Sequence, residues 1–86
     1  MIDTHTSHAG IVTRLRRAEG HVRSIIAMIE AGRPCVDLAQ QLHAVEAAVG
    51  AAKRELIHDH IEHCLDDEGG TAKTALKELK QLAKYL

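Results

Sequence analysis

Cys35, His60 and Cys64 are the residues whose types and spacing could do chemistry here. Two thiolates and one imidazole make a soft donor set. It suits Cu(I) and, with further nitrogen or oxygen donors, Ni(II), Co(II) or Zn(II). His60 and Cys64 are four residues apart, so on a helix they share a face and can hold one ion together. Cys35 is the difficulty. On a straight helix rising about 1.5 Å per residue it lies about 38 Å from His60. One chain cannot bring both to one metal unless that helix breaks.

Other histidines surround this set. His63 stands next to Cys64 and four residues after Asp59, about 100° round the helix from the Cys64 face. His5 and His8 fall in a polar amino-terminal arm that could fold over the site. His5, His8 and His63 are therefore the auxiliary candidate ligands, with a solvated tail and an ion pair to Asp59 as the plainer alternatives. His21 and His43 sit among helical residues and read as structural or surface groups.

The elements that must position these groups are helices. Ile11, Leu15, Ala18, Val22, Ile25 and Ile29 recur at steps of three and four, and Cys35, Leu38, Leu42, Val45, Val49, Ala52 and Leu56 continue the alternation. Gly32, Arg33 and Pro34 break the first segment, and Gly69 with Gly70 breaks the second. Thr71 is the candidate N-cap of a third helix that would bury Ala72, Ala75, Leu76, Leu79, Leu82 and Leu86. No period-two segment suggests a strand. The expectation is one all-α domain over 1–86: an arm at 1–9 and helices at about 10–31, 35–66 and 71–85.

A middle helix of that length is long for a chain of 86 residues and points to packing between chains. An antiparallel second copy, crossing near residues 48–50, sets Cys35 of one chain against His60 and Cys64 of the other. The crossing falls in Ala47, Ala48, Val49, Gly50, Ala51 and Ala52, small enough for close helix approach. Gly50 costs roughly 1 kcal/mol inside a helix, which a packing role would offset. The plainer alternative is that these small residues pack on the first helix of their own chain. Two-fold symmetry would give two metal sites per dimer.

Composition narrows the function. Tyr85 is the only aromatic residue, a composition that suits stacking platforms for single strands or RNA poorly. A net charge of −1 supplies no global attraction for nucleic acid, so binding must come from a local patch. Arg14, Arg16, Arg17 and Arg23 crowd the first helix in two adjacent rows, and Arg33, Lys53 and Arg54 could extend them. The lysines at 73, 77, 80 and 84, alternating with Glu78, read as a solvated face. There is no helix-turn-helix pattern, so DNA contacts would be mainly to phosphates, with sequence read through shape. No nucleophile–base set or phosphate loop suggests an enzyme. The first ten residues lack the basic start and apolar core of a signal peptide, and no apolar run reaches the roughly 18 residues of a membrane span. The expectation is a cytoplasmic protein with reduced thiols.

Residues Arg14 to Arg23, Met28 to Glu30 with Cys35, Gln40 to Ala48, and Asp59 to Cys64 together resemble the CsoR/RcnR/FrmR family of metal-sensing repressors. The resemblance covers about 10–66. It implies a tetramer built as a dimer of dimers, each dimer with an antiparallel four-helix core, that covers operator DNA until metal releases it. It also implies control of a metal export or resistance operon. By position Cys35, His60 and Cys64 match the family's Cys-His-Cys set, and Arg14 and Arg17 match positions it uses for DNA. There are departures. Pro34 stands where copper members usually have Tyr, and Cys64, Asp3 and His5 differ from the usual nickel–cobalt pattern. Ile2 replaces the amino-terminal Pro of formaldehyde sensors, and His60 is present where persulfide sensors usually lack it.

The expected function is thus an operator-binding repressor, released on binding Cu(I) or Ni(II)/Co(II), with Zn(II) a further candidate. The alternatives are a thiol-based sensor of formaldehyde or persulfide on the same scaffold, with Cys35 as nucleophile at a helix start, and a metal-storage or chaperone protein that binds no DNA.

Overall fold

The computed structural model describes residues 7–66 and 72–86. Three helices follow in order, α1 (Ser7–Glu30), α2 (Cys35–Asp66) and α3 (Ala72–Ala83), and the described residues contain no strand. The all-α expectation holds. α1 starts at Ser7, earlier than the first apolar residue of its stripe, and so takes in His8, which the sequence pattern assigns to the arm. His5 and Thr71 lie outside the described residues.

The link between α1 and α2 is a helix stop built on Gly32, whose φ of 77° is a left-handed conformation that side chains oppose. The Gly32 amide donates to the Ile29 carbonyl (3.1 Å) and the Arg33 amide to the Met28 carbonyl (3.0 Å), satisfying two of the helix's last carbonyls. Pro34 then caps α2, its carbonyl accepting from the Leu38 amide at 3.1 Å. Asp37 lies in that first turn, where the helix dipole favours an anion, and Arg33 reaches it at 3.3 Å. This stop folds the two helices into an antiparallel hairpin.

The hairpin core is a pair of seven-residue rows: Ile11, Ala18 and Ile25 on α1, Val45 and Ala52 on α2. Asp59 extends the α2 row by one more step and is buried to 9% exposure, a carboxylate where the pattern asks for an apolar side chain. Its partner is His8 of α1, with Nε2 3.7 Å from Oδ2.

Half of each apolar stripe stays outside. Leu15, Val22 and Ile29 of α1, and Leu42, Val49 and Leu56 of α2 (50%, 44% and 43%), are exposed. In an antiparallel pair, rows displaced the same way from the core rows emerge on the same side. The hairpin therefore has one apolar face. The opposite face is a polar seam, where His21 Nε2 meets Gln41 Oε1 at 2.6 Å and Arg14 approaches Glu55 at 3.6 Å.

The chain measures 54 × 26 × 13 Å, about one helix thick in its thinnest direction. Its radius of gyration, 17.4 Å, exceeds the roughly 12 Å of a compact chain of this length. A slab cannot enclose a core. α3 packs on the carboxyl-terminal part of α2, with Leu79 and Leu82 half-buried. Leu76 and Leu86, expected in the core, are exposed: among the described residues α3 packs on α2 alone, and Leu86 lies beyond its last turn.

Candidate metal centre and nucleic-acid interface

Cys35 is the first residue of α2, exposed and free of any disulfide. From there α2 runs 32 residues without a break to Asp66. Cys35 and His60 therefore stand on one continuous helix, about 38 Å apart along it. Among the described residues, no three His, Cys, Asp or Glu side chains of the chain gather to hold a metal ion. His63 and Cys64 lie in the last turns of α2, and their side chains fall outside the described set.

His60 is half-exposed, and its Nε2 lies 3.0 Å from Oε1 of Glu78 on α3. Around them His8, Leu56, Ile57, Leu82 and Tyr85 line an open pocket of about 610 Å³. His60 thus stands at a three-helix corner: Asp59 beside it engages His8 of α1, and His60 itself engages Glu78 of α3. A carboxylate accepts from the ring nitrogen it faces, and outer carboxylates of this kind orient metal-ligating histidines generally.

Glu78 and Asp59 stand at the candidate ligand His60, and spacing does not reveal either. In sequence Glu78 reads as part of a solvated lysine-rich face. It lies 18 residues from His60 on another helix, and no periodicity connects positions on two separate helices. Asp59 carries a signal of another kind, a carboxylate at a core step of the row through Val45 and Ala52. His8 acts from within α1, not from an arm.

The basic candidates divide. Arg14 spans the seam to Glu55, Arg23 pairs with Glu19 on its own helix at 3.3 Å, and Arg33 pairs with Asp37. Arg16, Arg17, Lys53 and Arg54 are exposed. Arg54 curls toward Gly50, its guanidinium 3.4 Å from where a Cβ would stand. A flexible side-chain end gives way easily, so the chain's own packing does not demand glycine there. Ala52 is buried against α1, as the plainer alternative required, while Val49 in the same run is not.

Residues 7–85 match the model of the family described as metal-sensitive transcriptional repressor. The chain is 41% identical over 76 residues to the copper-sensing transcriptional repressor CsoR of Bacillus subtilis, covering 86% of this chain and 75% of that protein. It is 36% identical to the CsoR of Mycobacterium ulcerans, of which it spans 65%, and again 86% of this chain is covered. Among solved structures, the nickel-responsive transcriptional regulator InrS superposes over the whole of both chains with a TM-score of 0.83 at 31% identity. The chain belongs to the metal-sensitive transcriptional repressor family. It is accordingly a metal-responsive DNA-binding repressor and not an enzyme. No helix among the described residues is long and apolar enough to cross a membrane.

Proposed function

We propose that two antiparallel copies of this chain share each sensing site, Cys35 of one with His60 and Cys64 of the other, and that loading these sites releases operator DNA. The observation that carries the proposal is one row on α2. Cys35, Leu42, Val49 and Leu56 follow at seven-residue steps, and His60 and Cys64 continue from Leu56 at four-residue steps. The apolar members of that row are exposed in the single chain. Reflecting residue numbers about Val49 sends 35 to 63, between His60 and Cys64. A second copy laid on the apolar face thus covers the face and completes the donor set in one move. Gly50, next to the crossing and unexplained by intrachain packing, fits a close approach of backbones.

The donor set fits a transition metal. Cys35 is an accessible thiol, and His60 has the carboxylate partner that metal-ligating histidines usually have. Two thiolates with one imidazole favour Cu(I), and the named function of the CsoR relatives agrees. Ni(II) or Co(II) would need further donors, for which His5, His8 and His63 are candidates; Zn(II) follows on the same terms. His8 is the least suited of these, since Asp59 already holds it.

DNA is read by the arginines of α1, with Arg14 and Arg17 central and Arg16, Arg23, Arg33, Lys53 and Arg54 flanking. Dimers then pair into tetramers, repeating the basic patches, and multiplied phosphate contacts produce steep salt dependence. The coupling rests on the corner at His60, from which Asp59 reaches the first turn of α1 and Glu78 reaches α3. A coupling of about 1–3 kcal/mol changes operator affinity 5- to 150-fold per effector, and the same factor must appear in metal affinity when DNA is bound.

The test is anaerobic titration of the protein on labelled promoter DNA with Cu(I), Ni(II), Co(II) and Zn(II). Release by a stoichiometric metal supports the proposal. A thiol-sensing alternative draws on the exposure of Cys35 alone; it predicts release by an electrophile or oxidant with metal chelated, and no release by metal.

A further inference from the structure

We propose that Glu55 is an intramolecular competitor of operator phosphate for Arg14, so that the sensor helix itself meters how much of this arginine is offered to DNA. The inference rests on the reading of Arg14 as a DNA contact. The two side chains face each other across the seam, with Arg14 Nη2 3.6 Å from Glu55 Oε1. Both are nearly half-exposed, at 49% and 41%. At that distance the pair is an ion pair and not a good hydrogen bond. Exposed pairs of this kind are weak and screened by salt, so a phosphate arriving from solvent can displace the carboxylate at small cost.

The connectivity separates this pair from the others. Arg23 with Glu19 and Arg33 with Asp37 are four-residue contacts, set by local backbone and insensitive to how α1 lies on α2. Arg14 with Glu55 joins the two helices. Glu55 also precedes Leu56 of the apolar row and stands five residues before His60. A small slide or roll of α2 against α1 would change the Arg14–Glu55 separation while leaving the local pairs as they are. Tightening the pair would withdraw Arg14 from phosphate, and loosening it would present the arginine. The geometry thus supplies an electrostatic counterweight on the binding helix, placed on the helix that carries the sensing residues.

The experiment uses the full chain and its operator DNA, measuring affinity over a salt series for the wild type, Glu55→Gln, Arg14→Ala and the double variant. Gln keeps the shape of Glu55 and removes its charge. Glu46→Gln, an exposed carboxylate elsewhere on α2, controls for a general change of charge. Glu55→Gln is expected to tighten binding about two- to fivefold for each arginine engaged, and the gain should vanish in the Arg14→Ala background. Equal gains in Glu46→Gln, an undiminished gain without Arg14, or no gain at all would overturn the proposal. If Arg14→Ala alone binds operator as the wild type does, the underlying assignment of Arg14 fails, and the competitor role with it.

Discussion

His60 Nε2 on α2 and Glu78 Oε1 on α3 stand 3.0 Å apart, joining the candidate ligand to the helix that the stripes of the first two helices say least about. Outer carboxylates placed this way orient metal-bound histidines generally, and Glu78 is positioned to do the same for the His60 ring. If His60 is a ligand as proposed, α3 is part of the sensor.

Replacing Glu78 with Gln should therefore weaken metal binding without unfolding the chain. The side chain is exposed, so little stability is at stake, while removal of an outer carboxylate typically lowers metal affinity on the order of 10- to 100-fold. Competition titration with a chelator of known affinity, alongside circular dichroism, measures both. Unchanged affinity with a native spectrum would detach α3 from the site.

Val49 gives the interface its sharpest test. It is exposed in the single chain yet sits at the proposed crossing point, where two copies would face each other. Val49→Glu would bury two like charges together, and an uncompensated buried charge costs about 3–5 kcal/mol. Sedimentation should show the wild type assembled and the variant dissociated, with reduced helix content, since a slab this thin buries little apolar surface by itself. A variant that assembles normally would place the interface elsewhere.

Cys35 and Arg14 should separate sensing from binding. Cys35→Ala is expected to hold operator as tightly as wild type and to stay bound when metal is added. Arg14→Ala should bind metal normally but hold DNA more weakly, with the slope of log affinity against log salt shallower by about 0.9 for each phosphate no longer neutralised. Gel shift and fluorescence anisotropy over a salt series distinguish the two. Exchanged phenotypes would reverse the assigned roles.

Most of the architecture is legible in the periodicity. The breaker at Gly32 to Pro34, the row through Ile11, Ala18 and Ile25 and the row through Val45 and Ala52 lead directly to a helical hairpin. The same pattern does not say which apolar residues the chain buries by itself. Ile25 and Ile29 look alike as sequence, but Ile25 is enclosed and Ile29 is exposed, because only one edge of the stripe meets α2. The candidate ligands are legible from residue type and spacing, since thiols and imidazoles are few and a helix fixes their separation. Their supports are not. Glu78 reaches His60 from a separate helix, and no local pattern links the two, while His8 becomes a partner of Asp59 because α1 begins about a turn before Ile11, the first residue of its apolar stripe. Arg14 is visible as a cation; that a carboxylate on the neighbouring helix already faces it is not.

Subunit complementation reaches the central claim most directly. Cys35→Ala and His60→Ala are each purified, shown to lack the native metal site, then unfolded together and refolded as a mixture. If each site draws Cys35 from one chain and His60 with Cys64 from the other, half of the random dimers are mixed, and each mixed dimer holds one intact site of its two. The mixture should regain about a quarter of wild-type metal capacity. A mixture that recovers nothing, although its chains have exchanged, would mean that each chain builds its site alone.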